Sequence, residues 1–278
     1  MLRTMLTATN TLTQLQSQLD NISNNIANSS THGYKAKEAQ FSELLYQQFN
    51  NDKLDKTLRQ SPVGIRYGVG AHISQIQANQ KQGSLQTTDR DLDFAFTKEN
   101  QYFNILMPEG EGQRTVYTRQ GDFYVSPIAN GQVMLVNGDG YPVADSNGNE
   151  IYFPDFATDF TLSPEGQLSV HYANGQVLPF NLAVSELQKP QAMEHVSGTY
   201  IGLPANLVEL GLTQADILTD LQGTARSEIG LQIRTLEMSN VDLSKEMTDL
   251  IATQRSYQFN TRAVTIADQM LGLINGIR

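Results

Sequence analysis

The stretch LDNISNNIANSSTHGYK, Leu19–Lys35, holds Asn21, Asn24, Asn25 and Asn28, yet apolar residues run through it at a regular helical interval. Asparagine is a poor helix former because its amide competes for nearby backbone groups. Upstream and through the stretch, Met5, Ala8, Leu12, Leu15, Leu19, Ile22 and Ile26 step by three and four. That is a heptad seam, the mark of a helix that packs along another helix. Gln14, Gln18, Asn21, Asn25 and Asn28 make a second stripe beside it, all uncharged amides. Between Arg3 and Lys35 the only formal charge is Asp20. A solvated helix face carries interspersed charges, so this one is expected to face away from open water. Gly33 is placed to end the helix.

The far end mirrors this pattern. Asp242, with Lys245 and Glu246 nearby, reads as an N-cap region. Leu243, Leu250, Tyr257, Val264 and Leu271 follow every seven residues, with Met247 and Ile274 extending the face. Between the two helices the pattern changes to short alternating runs split by turn dipeptides, from about Ala71 to Ala225. Asn-Gly at 130–131, 137–138, 147–148 and 174–175 signals tight hairpins. Ile229, Leu231 and Ile233 alternate like a strand, expected to pair with Ala71–Ala78 as a waist. The fold class expected is therefore α+β, with long terminal helices forming a coiled-coil-like helical domain and a central antiparallel all-β domain. The boundaries follow: an N-terminal helix at 1–35, a linker and waist at 36–82, the β domain at 83–226, a return strand at 227–241 and a C-terminal helix at 242–278.

Composition narrows the function. The 278 residues carry a formal charge of −10, with no clustered Lys and Arg, which argues against nucleic acid. There is no Cys, so disulfides and thiolate metal sites are excluded. The N-terminus lacks the apolar core and cleavage site of a secretory signal, and no run approaches the roughly 18 apolar residues of a membrane span. By those rules alone the chain reads as cytoplasmic and not membrane-inserted. His32, His72, His171 and His195 have no ligand spacing. Asp145–Glu150, DSNGNE, lacks the glycine of a calcium loop at its sixth position, Phe156 stands where the bidentate Glu is required, and the run reads as a polar turn. Asp89, Asp91 and Asp93 would share one strand face, without a second catalytic group beside them. No catalytic, cofactor or metal site emerges, and no enzyme activity is expected.

LDNISNNIANSSTHGYKAKEAQF (Leu19–Phe41) resembles the N-terminal signature of the flagellar rod and hook family, with its S-N-N-[LI]-A-N core and G-[FY]-K. LEMSNVDLSKEMTDLIATQRSYQFNTRAVTIADQML (Leu236–Leu271) resembles the family's C-terminal signature. GSLQTTDRDLDFAF (Gly83–Phe96) and YTRQGDF (Tyr117–Phe123) are similar to motifs of its distal-rod branch. The resemblance implies a structural subunit polymerising helically into the rod or rod–hook region, with terminal helices packed as concentric tubes. It implies copies of itself, neighbouring rod, hook or junction subunits and the flagellar export apparatus as partners. It also implies export without a cleaved signal to the basal body, which reverses the cytoplasmic inference. The assembly interface is then expected at Leu12, Leu15, Leu19, Ile22, Asn24, Asn25, Ile26, Asn28, Leu243, Met247, Leu250, Tyr257, Val264 and Leu271. On this reading the amides pair with copies of themselves, since each supplies both donors and acceptors. The alternative is a β-domain binding module or cell-wall-associated protein dimerised through coiled-coil helices.

Overall fold

The computed structural model describes residues 2–43, 47–49, 65–67, 71–110, 112–128, 131–207, 209 and 211–276. Most of the linker expected between Tyr46 and Gly70 lies outside the described residues. The chain forms two compact units. One comprises Met1–Ala27, Lys37–Gln77 and Asp242–Arg278, and the other Asn28–Ala36 with Ala78–Val241.

In the first unit, helix α1 (Leu2–Ala27) and the C-terminal helix (Leu243–Gly276) are joined by an antiparallel pair of strands, Lys37–Glu43 and Ala71–Ala78. A short helix, α2 (Gln214–Ile217), belongs to the second unit, so the C-terminal helix is α3. The Asp242 carboxylate starts α3 by accepting from the Ser244 and Lys245 amides at 2.9 and 3.2 Å. That satisfies two of the donors left over at a helix N-terminus. Asn25 near the end of α1 bonds Glu246 near the start of α3, and the two helices stay in contact, so they run antiparallel.

The expected coiled-coil-like helical domain is overturned. Strand outweighs helix among the described residues, and each chain end supplies a single helix. Two features explain why no coiled coil forms. A coiled coil needs apolar knobs at successive seam positions, but here Asn25, Glu246 and Thr253 are buried. The amide flank of α1 is also occupied, because it holds the strand Lys37–Glu43 (next section).

The second unit matches the expected central antiparallel β domain. A six-stranded sheet runs in the order Glu194–Ser197, Tyr200–Gly202, Gly112–Thr118, Gln101–Glu109, Val184–Leu187, Leu218–Asp220, every pair antiparallel. Two three-stranded meanders accompany it. One contains Phe123–Pro127, Gln132–Asn137 and Tyr152–Pro154, and the other Ala157–Leu162, Gln167–Tyr172 and Val177–Asn181. Their alternating residues meet in one core around Phe94, Phe103, Phe123, Leu135, Phe153 and Leu168. Phe103 packs edge-on to Phe123 with ring centres 5.0 Å apart. At the DSNGNE turn the Asp145 carboxylate accepts from the Asn147 and Asn149 amides, each at 2.8 Å.

Three local expectations are corrected. The waist pairing does not form: Ala71–Ala78 pairs with Lys37–Glu43, while Leu231–Ile233 pairs with Phe94–Phe96 and Thr235–Glu237 with Leu85–Thr87. Ile229 and Leu231 are drawn into the β core instead, and Arg234, at φ 56, breaks the run in two. The three aspartates do not share a strand face. Asp91 in a turn pairs with Arg234 at 2.5 Å, and buried Asp93 pairs with Arg90 at 2.9 Å. Gly33 does not stop α1, which ends at Ala27; its role lies elsewhere.

Candidate functional site

The family-like motifs are gathered at two places, one in each unit. The first is the α1–α3 seam. Asn25 is 1% exposed and its amide is fully used. Its Nδ2 donates to the Lys37 carbonyl at 2.9 Å and to Glu246 Oε1 at 3.1 Å, and its Oδ1 accepts from the Lys37 amide at 2.9 Å. Asn21 Nδ2 also donates to the Lys37 carbonyl, at 2.8 Å, and Gln14 Oε1 accepts from the Ile73 amide at 2.9 Å. A buried backbone group needs a partner, and the strand pair finds its partners in the amide stripe. The asparagines therefore already act within the chain. Burial raises the Glu246 carboxyl above the ordinary glutamate range, against the opposing pull of the Asn25 hydrogen bond and of Lys245.

Along α3 the positions Glu246, Leu250, Thr253, Tyr257, Val264, Ala267 and Leu271 are buried or half-buried. Leu12, Leu15, Leu19 and Ile26 on α1 are half-buried, and Ile22 is buried. Of the other expected interface residues, Asn24 is exposed, and Asn28, half-buried in the second unit, accepts from Thr31 Oγ1 at 3.2 Å. Leu243 and Met247 are exposed. Ile274, also named in the heptad reading, is exposed as well, and so are Ile251, Phe259, Ile266, Met270 and Leu273, which that reading missed, Phe259 by 74% and Leu273 by 69%. A helix apolar on both sides is built to be buried on both sides. The signal was present in the sequence, since α3 has more apolar residues than one seam can use.

The second place is a knot of charge in the β unit. Glu237, in the LEMSN motif, is 2% exposed and accepts three hydrogen bonds. They come from Lys35 Nζ at 2.8 Å, Arg119 Nε at 2.7 Å and the Gly83 amide at 3.0 Å, and Arg119 Nη2 adds an ion-pair contact at 2.6 Å. Arg119, 2% exposed, also donates to the Lys98 and Gln101 carbonyls at 3.2 and 3.0 Å. Burial, and then the neighbouring Arg119, lower the Lys35 ammonium below the ordinary lysine value. Gly33, at φ 68, donates its amide to the Glu237 carbonyl at 2.8 Å. A Cβ at Gly33 would fall 2.5 Å from the Gln120 nitrogen, and one at Gly83 would fall 1.9 Å from the Met238 carbonyl oxygen. The glycines of both motifs are thus demanded by close backbone approach. Glu237 was not visible as a site residue beforehand, because its partners are 118 and 202 residues away in sequence. Among the described residues, no group of His, Asp or Glu could hold a metal ion, and no helix is long and apolar enough to cross a membrane.

Comparison with known proteins bears on all of these segments. Residues 5–35 match the family model "Flagella basal body rod protein", 98–170 match "Flagellar hook protein FlgE/F/G D1 domain", and 234–277 match "Flagellar basal body rod FlgEFG protein C-terminal". The chain is 45% identical to the flagellar hook-basal body complex protein FlhP of Bacillus subtilis, over 100% of both chains. It is 30% identical to the flagellar basal-body rod protein FlgG of Borreliella burgdorferi, over 100% of this chain and 99% of that one. To FlgG of Caulobacter vibrioides it is 32% identical over 98% of each. With its two ends and its β unit all matched, the chain belongs to the flagellar basal-body rod and hook family.

Proposed function

We propose that this chain is a structural subunit of the flagellar basal body that joins copies of itself and neighbouring rod or hook subunits through the outward apolar face of α3. The family is one of structural basal-body proteins rather than enzymes. The observation that carries the proposal is the exposed set Met247, Ile251, Phe259, Ile266, Met270 and Leu273 on one helix. Large apolar side chains left exposed in such number on one side of a helix mark an interaction site. Contacts between unlike faces of identical subunits do not close and so grow a helical polymer, the form in which a rod would pass torque to the hook. The proposal extends to passage through the flagellar export apparatus without a cleaved signal, and to assembly through Leu12, Leu15 and Leu19 on α1 as well as α3.

Sedimentation and electron microscopy of the concentrated full chain test this. Filaments or rod-like stubs are expected from the native sequence. Phe259→Asp and Leu273→Asp should leave single subunits with an unchanged melt of the β unit, because each places a charge on a face that must be buried on assembly. Filaments of normal length from the doubly substituted chain would overturn the assignment.

A further inference from the structure

One end of the β unit leaves large apolar side chains in water. Phe156 lies between the strands Tyr152–Pro154 and Ala157–Leu162, where the two meanders join, and it is 85% exposed. Tyr152 and Pro154, two residues apart and so on one face of their strand, are exposed just before it. Pro154 opposes Gln132 across the ladder, and the Gln132 carbonyl accepts from the Ile128 amide at 2.8 Å, which brings exposed Ile128 to the same end.

The turn that presents Phe156 is held in place. Its φ of 70 is a left-handed conformation that a bulky residue seldom adopts and that persists only where the surroundings impose it. Here the Asp155 amide donates to the Gly131 carbonyl at 3.0 Å, and the Tyr172 hydroxyl donates to the Pro154 carbonyl at 3.0 Å. The Asp155 carboxylate accepts from the Phe156 amide at 2.8 Å. Neither the strain nor a ring left in water contributes to the core of this unit. Both make sense if the ring, already ordered, is buried by something else.

Charge selects what that is. Between Arg119 and Lys189, the segment that forms both meanders, the chain has no Lys or Arg and eight Asp or Glu. Those eight carboxylates make up most of the net charge of −10. Asp155 and Asp159, on either side of Phe156, are both exposed. Arg90, Arg226 and Arg234 reach toward the segment from outside it but are engaged. Arg90 pairs with Asp93 at 2.9 Å and Arg234 with Asp91 at 2.5 Å, and Arg226 donates to the Leu182 and Gly166 carbonyls at 3.1 and 2.9 Å.

We propose that this end of the β unit docks a second, basic protein, whose apolar pocket takes the Phe156 ring and whose Lys or Arg side chains meet Asp155 and Asp159. An anionic polymer or lipid surface would meet charge of its own sign, and a second copy of this chain brings −10 with it. A small cation would leave the ring uncovered. The proposal is separate from assembly through α3, since α3 belongs to the other unit, and its test reads the contacts of residue 156 alone.

The test places the photo-reactive p-benzoylphenylalanine at position 156 of the full chain, in the cells that make it, and maps the adduct by mass spectrometry. The expected adduct is with a different protein, at a segment where Lys and Arg outnumber Asp and Glu. Asp155→Asn with Asp159→Asn keeps the hydrogen-bond acceptors of the turn and removes its charge, so it should cut the adduct roughly fivefold with an unchanged melt. Phe156→Gly should leave the melt of the β unit unchanged or higher, because glycine accepts the left-handed φ and the ring holds nothing in the free protein. An adduct with a second copy of this chain, with an acidic or uncharged segment, or with no protein overturns the proposal. So does a full adduct yield from the double Asn variant, or a lowered melt for Phe156→Gly.

Discussion

Glu237 binds two cations with one carboxylate inside the β unit, and that imbalance sets what its loss should do. Removing the carboxylate leaves Lys35 and Arg119 buried against each other, the arrangement in which a broken internal pair costs about 3–5 kcal/mol. Glu237→Gln should therefore lower the denaturant midpoint of the β unit sharply. Lys35→Met should cost less, because Arg119 stays paired with Glu237 Oε2, its Nε donating at 2.7 Å. Equal losses from the two variants would show that the knot does not share its charge in this way. Gly33→Ala should cost roughly 1–3 kcal/mol, since the residue sits at φ 68 and its Cβ would meet the Gln120 backbone. Urea titration of each variant measures these effects. At this scale the sequence was partly legible. Gly33 and Lys35 stood out as a motif, but nothing local marked Glu237 as their partner.

The α1–α3 seam is where single residues become an element. Asn25→Ala removes three hydrogen bonds and takes from the Lys37 amide its side-chain partner, while the Lys37 carbonyl keeps Asn21, so α1 should lose hydrogen-exchange protection by about 1–3 kcal/mol. Exchange rates of the α1 amides in the variant check this directly. Glu246 adds a pH dependence whose sign is set. Its folded pKa is raised above the unfolded one. Its contribution to stability is thus fully present below the ordinary glutamate pKa and is lost as the pH rises through the folded value. Lys245, Asp249 and Glu38 are the other charges acting on it. The helix pair should melt higher in mild acid than at neutral pH, and Glu246→Gln should flatten that step. A step of unchanged size in Glu246→Gln, followed by circular dichroism at 222 nm, would assign it to another group. The heptad spacing made Leu12, Leu15, Leu19, Leu250 and Tyr257 readable as one side of a helix. It could not divide α3 into an inward and an outward apolar face, because periodicity specifies an angle and not a neighbour.

At the scale of the whole molecule, the division into two units has its own consequence. The β unit includes Asn28–Ala36, so a fragment spanning 28–241 keeps Gly33 and Lys35 in the knot. That fragment should fold cooperatively and stay monomeric, whereas one beginning at residue 37 should melt several degrees lower for want of Lys35 and of the Gly33 amide. Calorimetry of both fragments, with sedimentation of the first, tests the division. Filaments formed by the 28–241 fragment would move the assembly surface into the β unit.

Local repetition was enough to reveal the helical stripes, the low charge of α1, the antiparallel hairpins around Asn147-Gly148 and Asn174-Gly175, and the family motifs at both ends. Each of these depends on residues a few positions apart, and their spacing is written directly in the chain. The tertiary structure alone decided that the amides of α1 hold a strand, that Ile229 and Leu231 join the β core, and that α3 keeps an apolar face outward. It also decided that Gly131 and Tyr172 hold the turn that presents Phe156. The physical reason is common to all four: each turns on which distant segments the fold brings together. A buried polar group must be matched wherever the chain can bring a partner, as Glu237 is by Arg119 and Lys35, at separations of 118 and 202 residues that leave no trace in local pattern.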